Sequence, residues 1–250
     1  SLQHWLEVLS RRPRSVLISF GSVAHSKTLK EEAKDAILKM VSSFPDVTFI
    51  WKYENKSDSF ALEKASKHQN LVLSEWTPQN DLLNDPHLAV FLSHAGMGSV
   101  QETALRGVPA IFVPLFGDQP RNAAMMEHNG LAKVYDKFEL SNGEKLTAYM
   151  REVLNDPSYR ENARRISRML ATKPFSSRDL FIKHIEFAAE FGPSPSLRPQ
   201  SQDMSFIEYH NLDIVAAGAI VLVIMSYISL KILKRIATRF VLPAEKTKQA

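Results

Sequence analysis

Four side chains, His94, Glu102, Asp118 and Gln119, have the types and spacing to act together on a phosphorylated sugar. His94 stands in the run Phe91-Leu92-Ser93-His94-Ala95-Gly96-Met97-Gly98-Ser99. The apolar stretch from Leu88 to Leu92 predicts a buried parallel strand. A glycine-rich turn follows, and a helix is expected to open near Ser99 and to stop at Gly107, with Pro109 just beyond. Strand, glycine turn and helix N-terminus in that order suit a phosphate or diphosphate. Gly96 and Gly98 let the backbone come close, and the free N–H groups of the first helical turn, including that of Ser99, meet the anion. His94 at the mouth of the turn can donate a further hydrogen bond. Glu102 lies one turn in, where a carboxylate can accept from both hydroxyls of a ribose. The spacing points to a nucleoside diphosphate held by its middle.

The next segment offers different chemistry. Ala110 to Val113 predicts another strand, closed by Pro114, and Asp118-Gln119 follows in a short loop before Pro120 opens a helix. Ligands of open α/β sheets sit at the carboxyl ends of the strands, so Asp118 and Gln119 should share a rim with His94. A carboxylate beside an amide suits the hydroxyls of a hexose. Asn122, one turn after Gln119, is a candidate for the phosphate or the sugar, and equally for a helix cap. Arg121 is a candidate for an anionic sugar, and equally for a solvated surface residue. Ser22, after Phe20-Gly21, is expected to reach the diphosphate from the first loop.

The stretch from Trp76-Thr77-Pro78-Gln79-Asn80-Asp81-Leu82-Leu83 to Asp118-Gln119-Pro120 resembles the signature of the UDP-glycosyltransferases, closest to the membrane-bound UDP-glucuronosyltransferase branch of animals. Ser19-Phe20-Gly21-Ser22 is similar to the family's first strand and loop. The resemblance covers nearly the whole chain, but only as the C-terminal half of a family member. It implies that Trp76 stacks on uracil and that Gln79 contacts the nucleoside. It also matches Trp51-Lys52 to a Trp-Arg pair near the nucleotide. Lysine lacks the planar two-pronged donor set of arginine, which weakens that match, and Trp51 is expected in the core. The resemblance departs from some relatives at Gly98, where they carry Asn. It also places the family's general base, a different histidine held by an aspartate, in an N-terminal half that this sequence does not contain. His94 is therefore read as a diphosphate contact.

Strands and helices must position these residues, and they alternate along the chain. Expected strands are Val16–Phe20, Val47–Trp51, Leu71–Leu73, 88–92 and 110–113. Thr28-Leu29-Lys30-Glu31 fits a capping box for a helix running through Met40. Further helices are expected at 81–83, 99–106 and 120–129, the last capped by Gly130. From Lys145 onward the pattern is helical, over about 145–154, 158–170 and 176–190. The fold class is therefore α/β, a Rossmann-like parallel sheet covered on both faces. By resemblance this is the donor-binding domain of a GT-B glycosyltransferase, with one C-terminal transmembrane helix in addition. The expected divisions are 1–191 for this domain, 192–211 for a Pro-rich linker, 212–233 for the membrane helix and 234–250 for a basic tail.

The chain of 250 residues is 44% hydrophobic, enough for one domain with a sizeable core and an appendage. It contains no cysteine, so its stability does not depend on disulfides. Six basic residues from Lys231 onward stand against Glu245 alone, giving +5. With +4 overall, residues 1–230 carry −1. The basicity belongs to the tail, and no nucleic-acid surface is expected. Ile214 to Leu230 runs without a charge and would be about 26 Å long as a helix. Extended by Ile232 and Leu233 it can span a bilayer. The positive-inside rule places the tail in the cytosol and the large domain in the lumen. The ending Lys246-Thr247-Lys248-Gln249-Ala250 resembles a di-lysine signal for retention in the endoplasmic reticulum. The histidines show no metal-ligand spacing, and neither a metal nor a cofactor is expected, UDP-sugar being the donor substrate.

The resemblance thus implies transfer of a hexosyl group from UDP-sugar to small lipophilic acceptors, with inversion. Glucuronic acid is the first expectation for the sugar and glucose the second. The acceptor would be held by the N-terminal half. Membrane lipid is an expected partner, and a homo- or hetero-oligomer is left open. Two other readings stand beside this one. A truncated, non-catalytic chain would bind UDP-sugar or modulate full-length partners. A nucleotide-sugar epimerase shares the fold, but the membrane segment and the Trp-Thr-Pro-Gln motif count against it.

Overall fold

A computed structural model describes residues 2–241 and divides the chain into two compact units, Ser1–Pro174 and Phe175–Ala250. The first unit is built on six parallel strands: β1 (Arg14–Ser19), β2 (Val47–Lys52), β3 (Leu71–Ser74), β4 (Leu88–Ser93), β5 (Ala110–Phe112) and β6 (Ala132–Val134). Their order across the sheet is β3-β2-β1-β4-β5-β6. The chain winds outward from β1 in one direction, then returns to lay β4 against the other side of β1. The loops after β1 and β4 therefore leave the sheet in opposite directions and open a crevice between them. Ser19 and Ser93 are register partners at this point, so the residues that follow them emerge side by side.

Strand residues alternate between the two faces. In β1, Val16 and Ile18 join a core under α2 (Glu31–Ser42) and α6 (Gly143–Asn155), whereas Leu17 packs on the opposite side with α1 (Leu2–Leu9) and α3 (Gln79–Leu83). A third cluster fills the space between β5 and α4 (Met97–Arg106), α5 (Gln119–His128) and α7 (Pro157–Ala171). Both faces are covered, which is why the centres of β1, β2 and β4 read as consecutive apolar residues, Val16–Ile18, Phe49–Trp51 and Leu88–Leu92. Trp51 is fully buried among Tyr53 and Phe60, as expected of a core residue. Arg160 reaches from α7 to donate to the carbonyls of Leu88 and Ala89, each at 2.8 Å, and so ties that helix to the start of β4.

Two local expectations are corrected. Thr28 does not cap α2. The helix starts at Glu31 behind Lys30, which makes no side-chain cap, and Thr28 Oγ1 instead donates to the His25 carbonyl at 2.7 Å within a single 3-10 turn. Glu31, the other half of the expected box, is paired with Lys34 at 2.9 Å. The second correction is β6, which no periodicity announces. Its three residues Ala-Lys-Val are a strand only because Tyr135 N–H and the Leu131 carbonyl bond to β5. A reciprocal capping box does occur elsewhere, between Ser205 and Glu208 at the start of α9 (Phe206–Tyr209).

The second unit holds α8 (Ser177–Phe191), α9 and α10 (Leu212–Val241). The domain boundary expected at 191 lies inside this unit, at the end of α8. Within α10, Leu212–Thr238 is long and apolar enough to cross a membrane, and its side chains are exposed. The helix continues past the expected end at 233, because Lys234 and Arg235 interrupt apolar composition without interrupting helical propensity. The basic tail from 242 onward lies outside the described residues.

Candidate functional site

A cleft of about 630 Å³ opens at the carboxyl ends of β1 and β4. Ser22, Trp76, Gln79, His94, Gly96, Gly98, Ser99 and Glu102 all line it, and so does Gln119. Residues as far apart in sequence as Ser22 and Gln119 thus line one cleft. The size falls in the range of small-molecule sites, about 300–1,000 Å³.

The anion-binding corner is formed by the turn between β4 and α4. Gly96 is the N-cap and the helix begins at Met97, two residues earlier than expected. The first main-chain N–H bonded back into the helix is that of Val100, to Gly96, so the amides of the preceding turn point outward. Ala95 holds a left-handed φ of 64°. A side chain pays about 1–2 kcal/mol for that conformation, and here it is held by burial and by Asn122, whose Nδ2 donates to the Ala95 carbonyl at 3.1 Å. A Cβ placed on Gly98 would meet nothing within 4 Å, so the space above the helix start is open.

His94 sits between two glycines. A Cβ on Gly21 would lie 2.6 Å from its Cε1, and a Cβ on Gly96 would lie 2.5 Å from its Nε2. Both glycines are therefore required by the imidazole, and Gly21 is needed again for its φ of 90°. Burial holds the His94 pKa below 6.5, opposed by the nearby Asp118 carboxylate and assisted by the Lys52 charge. The ring is neutral at pH 7 and can offer one N–H to an anion. A histidine whose folded pKa is depressed contributes stability that is complete above about 6.5 and lost as pH falls through the folded value. We predict that His94→Gln declines less in stability than the parent between about pH 7 and 5 in urea titrations. Parallel declines would show that His94 is as easily protonated folded as unfolded.

Lys52 brings a buried charge to the cleft. It is only 8% exposed. Its Nζ donates to the Gly21 carbonyl, lies 3.9 Å from Glu54 and stands 5.5 Å from the centre of the Trp76 ring. It thereby links the loop after β1 to the loop after β3. Trp76 itself is 72% exposed, a flat apolar face turned to solvent, and the Ser74 hydroxyl fixes its backbone at 2.7 Å.

Gln79 is committed within the protein. Its Nε2 donates to Glu102 Oε2 at 2.6 Å and to Ser99 Oγ at 3.1 Å. Both of its amide hydrogens are used to aim the carboxylate and the hydroxyl. Gln119 is 4% exposed, and its Oε1 accepts from the amides of Leu115 and Phe116 at 2.8 and 3.1 Å. Its Nε2 has no partner among the described residues and is the half left for a ligand.

Asp118 and Asn122 do not line the cleft. Asp118 is exposed, and Asn122 is buried and donates to Asp118 Oδ2 at 2.7 Å as well as to Ala95. Asn122, expected as a phosphate or sugar contact, instead positions Asp118 and the strained Ala95 turn, because both amide hydrogens are spent there. Arg121 is exposed and makes no ion pair among the described residues. Sequence reasoning missed Met97 and Phe116, which line the cleft at 42% and 52% exposure. An apolar residue at the first position of a helix or in a loop carries no periodic signal of where it points.

Comparison with known proteins follows the same lines. The family described as UDP-glucoronosyl and UDP-glucosyl transferase matches residues 12–248. Human UDP-glucuronosyltransferase 1A9 is 33% identical over 216 residues, which are 86% of this chain and 39% of that protein. Os79 from O. sativa, solved in complex with UDP, superposes with a TM-score of 0.60 at 27% identity, covering 75% of this chain and 43% of that one. The glycotransferase of kitacinnamycin gives a TM-score of 0.55 at 25% identity, over 65% of this chain and 40% of its own. The chain spans about two-fifths of the length of the curated relatives it matches. The fold is that of one Rossmann-like half of a GT-B glycosyltransferase, and the chain belongs to the UDP-glucoronosyl and UDP-glucosyl transferase family.

Proposed function

We propose that this domain holds the UDP-sugar donor of a membrane-bound UDP-glycosyltransferase. The observation that carries the proposal is the juxtaposition, in one cleft at the strand switch point, of outward-facing amides, a neutral histidine and a carboxylate one helical turn away. The diphosphate lies on the amides of residues 97–99, with His94 and Ser22 at its flanks. Glu102, aimed by Gln79, accepts from the ribose hydroxyls. Trp76 supplies the stacking face for uracil. The Nε2 of Gln119 and the carboxylate of Asp118 meet the sugar hydroxyls at the mouth.

In the transfer step, a hydroxyl oxygen of the acceptor forms a bond to the anomeric carbon as the bond from that carbon to the phosphate oxygen breaks. Attack from the opposite face inverts the centre. The acceptor proton passes to a base that lies outside this chain, and UDP leaves with the electron pair. The dipole of α4 and its free amides favour the charge that develops on the diphosphate, so this reading needs no metal. Glucuronic acid is the first sugar we assign and glucose the second, with small lipophilic molecules as acceptors. α10 anchors the protein in the endoplasmic reticulum membrane, with the large unit lumenal and the basic tail cytosolic.

Calorimetric titration of the full chain in detergent with UDP, UDP-glucose and UDP-glucuronic acid tests the donor assignment. Failure of all three to bind would overturn it. The sugar assignment has its own check. Asp118→Ala should leave UDP affinity unchanged and weaken UDP-sugar about fivefold, the worth of one net hydrogen bond. Equal losses for both ligands would place the sugar elsewhere.

A further inference from the structure

We propose that Asn55 carries an N-linked oligosaccharide. The tripeptide Asn55-Lys56-Ser57 is the one place in the chain where asparagine is followed, across a residue other than proline, by serine or threonine. Such a tripeptide is an acceptor only where the folded protein can tolerate a bulky, hydrated group, which means an exposed loop. The structure meets that condition. All three residues are exposed, in the loop that follows β2.

The flanks of the loop are tied down while its centre turns outward. Tyr53 is fully buried and donates to Asp58 Oδ2 at 2.6 Å. Glu54 accepts from Lys27 N–H at 3.2 Å and lies beside Lys52. Between these anchors, Asn55 Oδ1 accepts from the Ser57 amide at 3.1 Å, closing a short turn through the oxygen. The Nδ2 atom, which would form the glycosidic bond, makes no hydrogen bond among the described residues. Asn55 is not one of the residues lining the cleft, so a glycan there leaves the proposed donor site unobstructed.

The step is a group transfer. Asn55 Nδ2 forms a bond to the anomeric carbon of a lipid-linked oligosaccharide diphosphate. The bond from that carbon to the phosphate oxygen breaks, the lipid diphosphate leaves, and the Nδ2 proton goes to a base of the transferring enzyme. Nothing is oxidised or reduced. The proposal rests on the lumenal orientation given above, since the lipid-linked donor is used on that side of the membrane.

The test is synthesis of the full chain in the presence of endoplasmic reticulum microsomes, followed by endoglycosidase digestion and electrophoresis. A single mobility step that digestion removes is expected. It should be lost in Asn55→Gln, Ser57→Ala and Lys56→Pro and kept in Ser57→Thr. Protease protection of the large unit in the same sealed vesicles reads the orientation separately. No mobility step with the unit protected overturns the Asn55 assignment alone. No step with the unit digested overturns both the assignment and the lumenal orientation. A step that persists in Asn55→Gln places the modification elsewhere and also overturns the proposal.

Discussion

Replacing Glu102 by alanine is expected to weaken UDP binding about ten- to a hundredfold, the effect of removing a charged acceptor from two hydroxyls at about 1.5–3 kcal/mol. The structure adds a condition that residue types alone do not supply. Gln79 Nε2 bridges Glu102 and Ser99, so Gln79 acts on the nucleotide through the carboxylate it holds. Gln79→Ala should weaken UDP by less than Glu102→Ala. The double variant should lose little more than Glu102→Ala alone, because with the carboxylate gone the amide aims only the Ser99 hydroxyl. Calorimetry on the three variants reads this directly. Additive losses would mean that Gln79 touches the nucleoside independently. Unchanged UDP affinity in Glu102→Ala would remove that residue from the site.

The second large effect is on the fold around His94. Gly21→Ala combines a left-handed φ of 90° with a Cβ placed 2.6 Å from the His94 ring. The backbone term costs about 1–2 kcal/mol and the overpacking term about 1–3. Gly117→Ala has a similar backbone penalty, at φ 64°, but its Cβ meets nothing within 4 Å, so it should cost only the first term. Gly98→Ala has neither problem and should be tolerated in stability. Urea denaturation of the three variants gives the comparison. Equal costs for Gly21→Ala and Gly117→Ala would show that the imidazole does not occupy the space between the glycines. The ring sits where the β1 and β4 loops meet, so its displacement should weaken UDP binding in whatever fraction of Gly21→Ala still folds.

Much of this architecture is legible in residue types. The runs 14–19, 47–52 and 88–93 are strands because both faces of the sheet are buried and consecutive apolar residues fill their centres, Val16–Ile18, Phe49–Trp51 and Leu88–Leu92. The spacing from His94 to Glu102 is a turn and one helical turn, so those side chains must converge once a helix starts near Gly96. Other features left no such mark. Thr28 and Glu31 have the spacing of a capping box, yet a 3-10 turn at Ser26–Thr28 takes the hydroxyl first. Local hydrogen-bond options compete, and tertiary packing of α2 chooses among them. β6 is too short to show a period and exists only as an edge against β5.

The sequence by itself therefore determined the alternation of β1 to β5 with helices, the glycine turn that exposes amides, and the apolar length of α10. Each of these depends on short-range chemistry: side-chain period, the close backbone approach that a residue without a side chain allows, and hydrophobic length. Only the tertiary structure decided which polar groups remain free for a ligand. Asn122, one turn after Gln119, has the spacing of a contact residue, but its amide is spent on Ala95 and Asp118. Lys52 is matched by resemblance, weakly, to an arginine near the nucleotide, and only folding shows it buried between Gly21, Glu54 and Trp76. A hydrogen-bond donor has a fixed capacity, and what remains of it depends on neighbours that are distant in the chain.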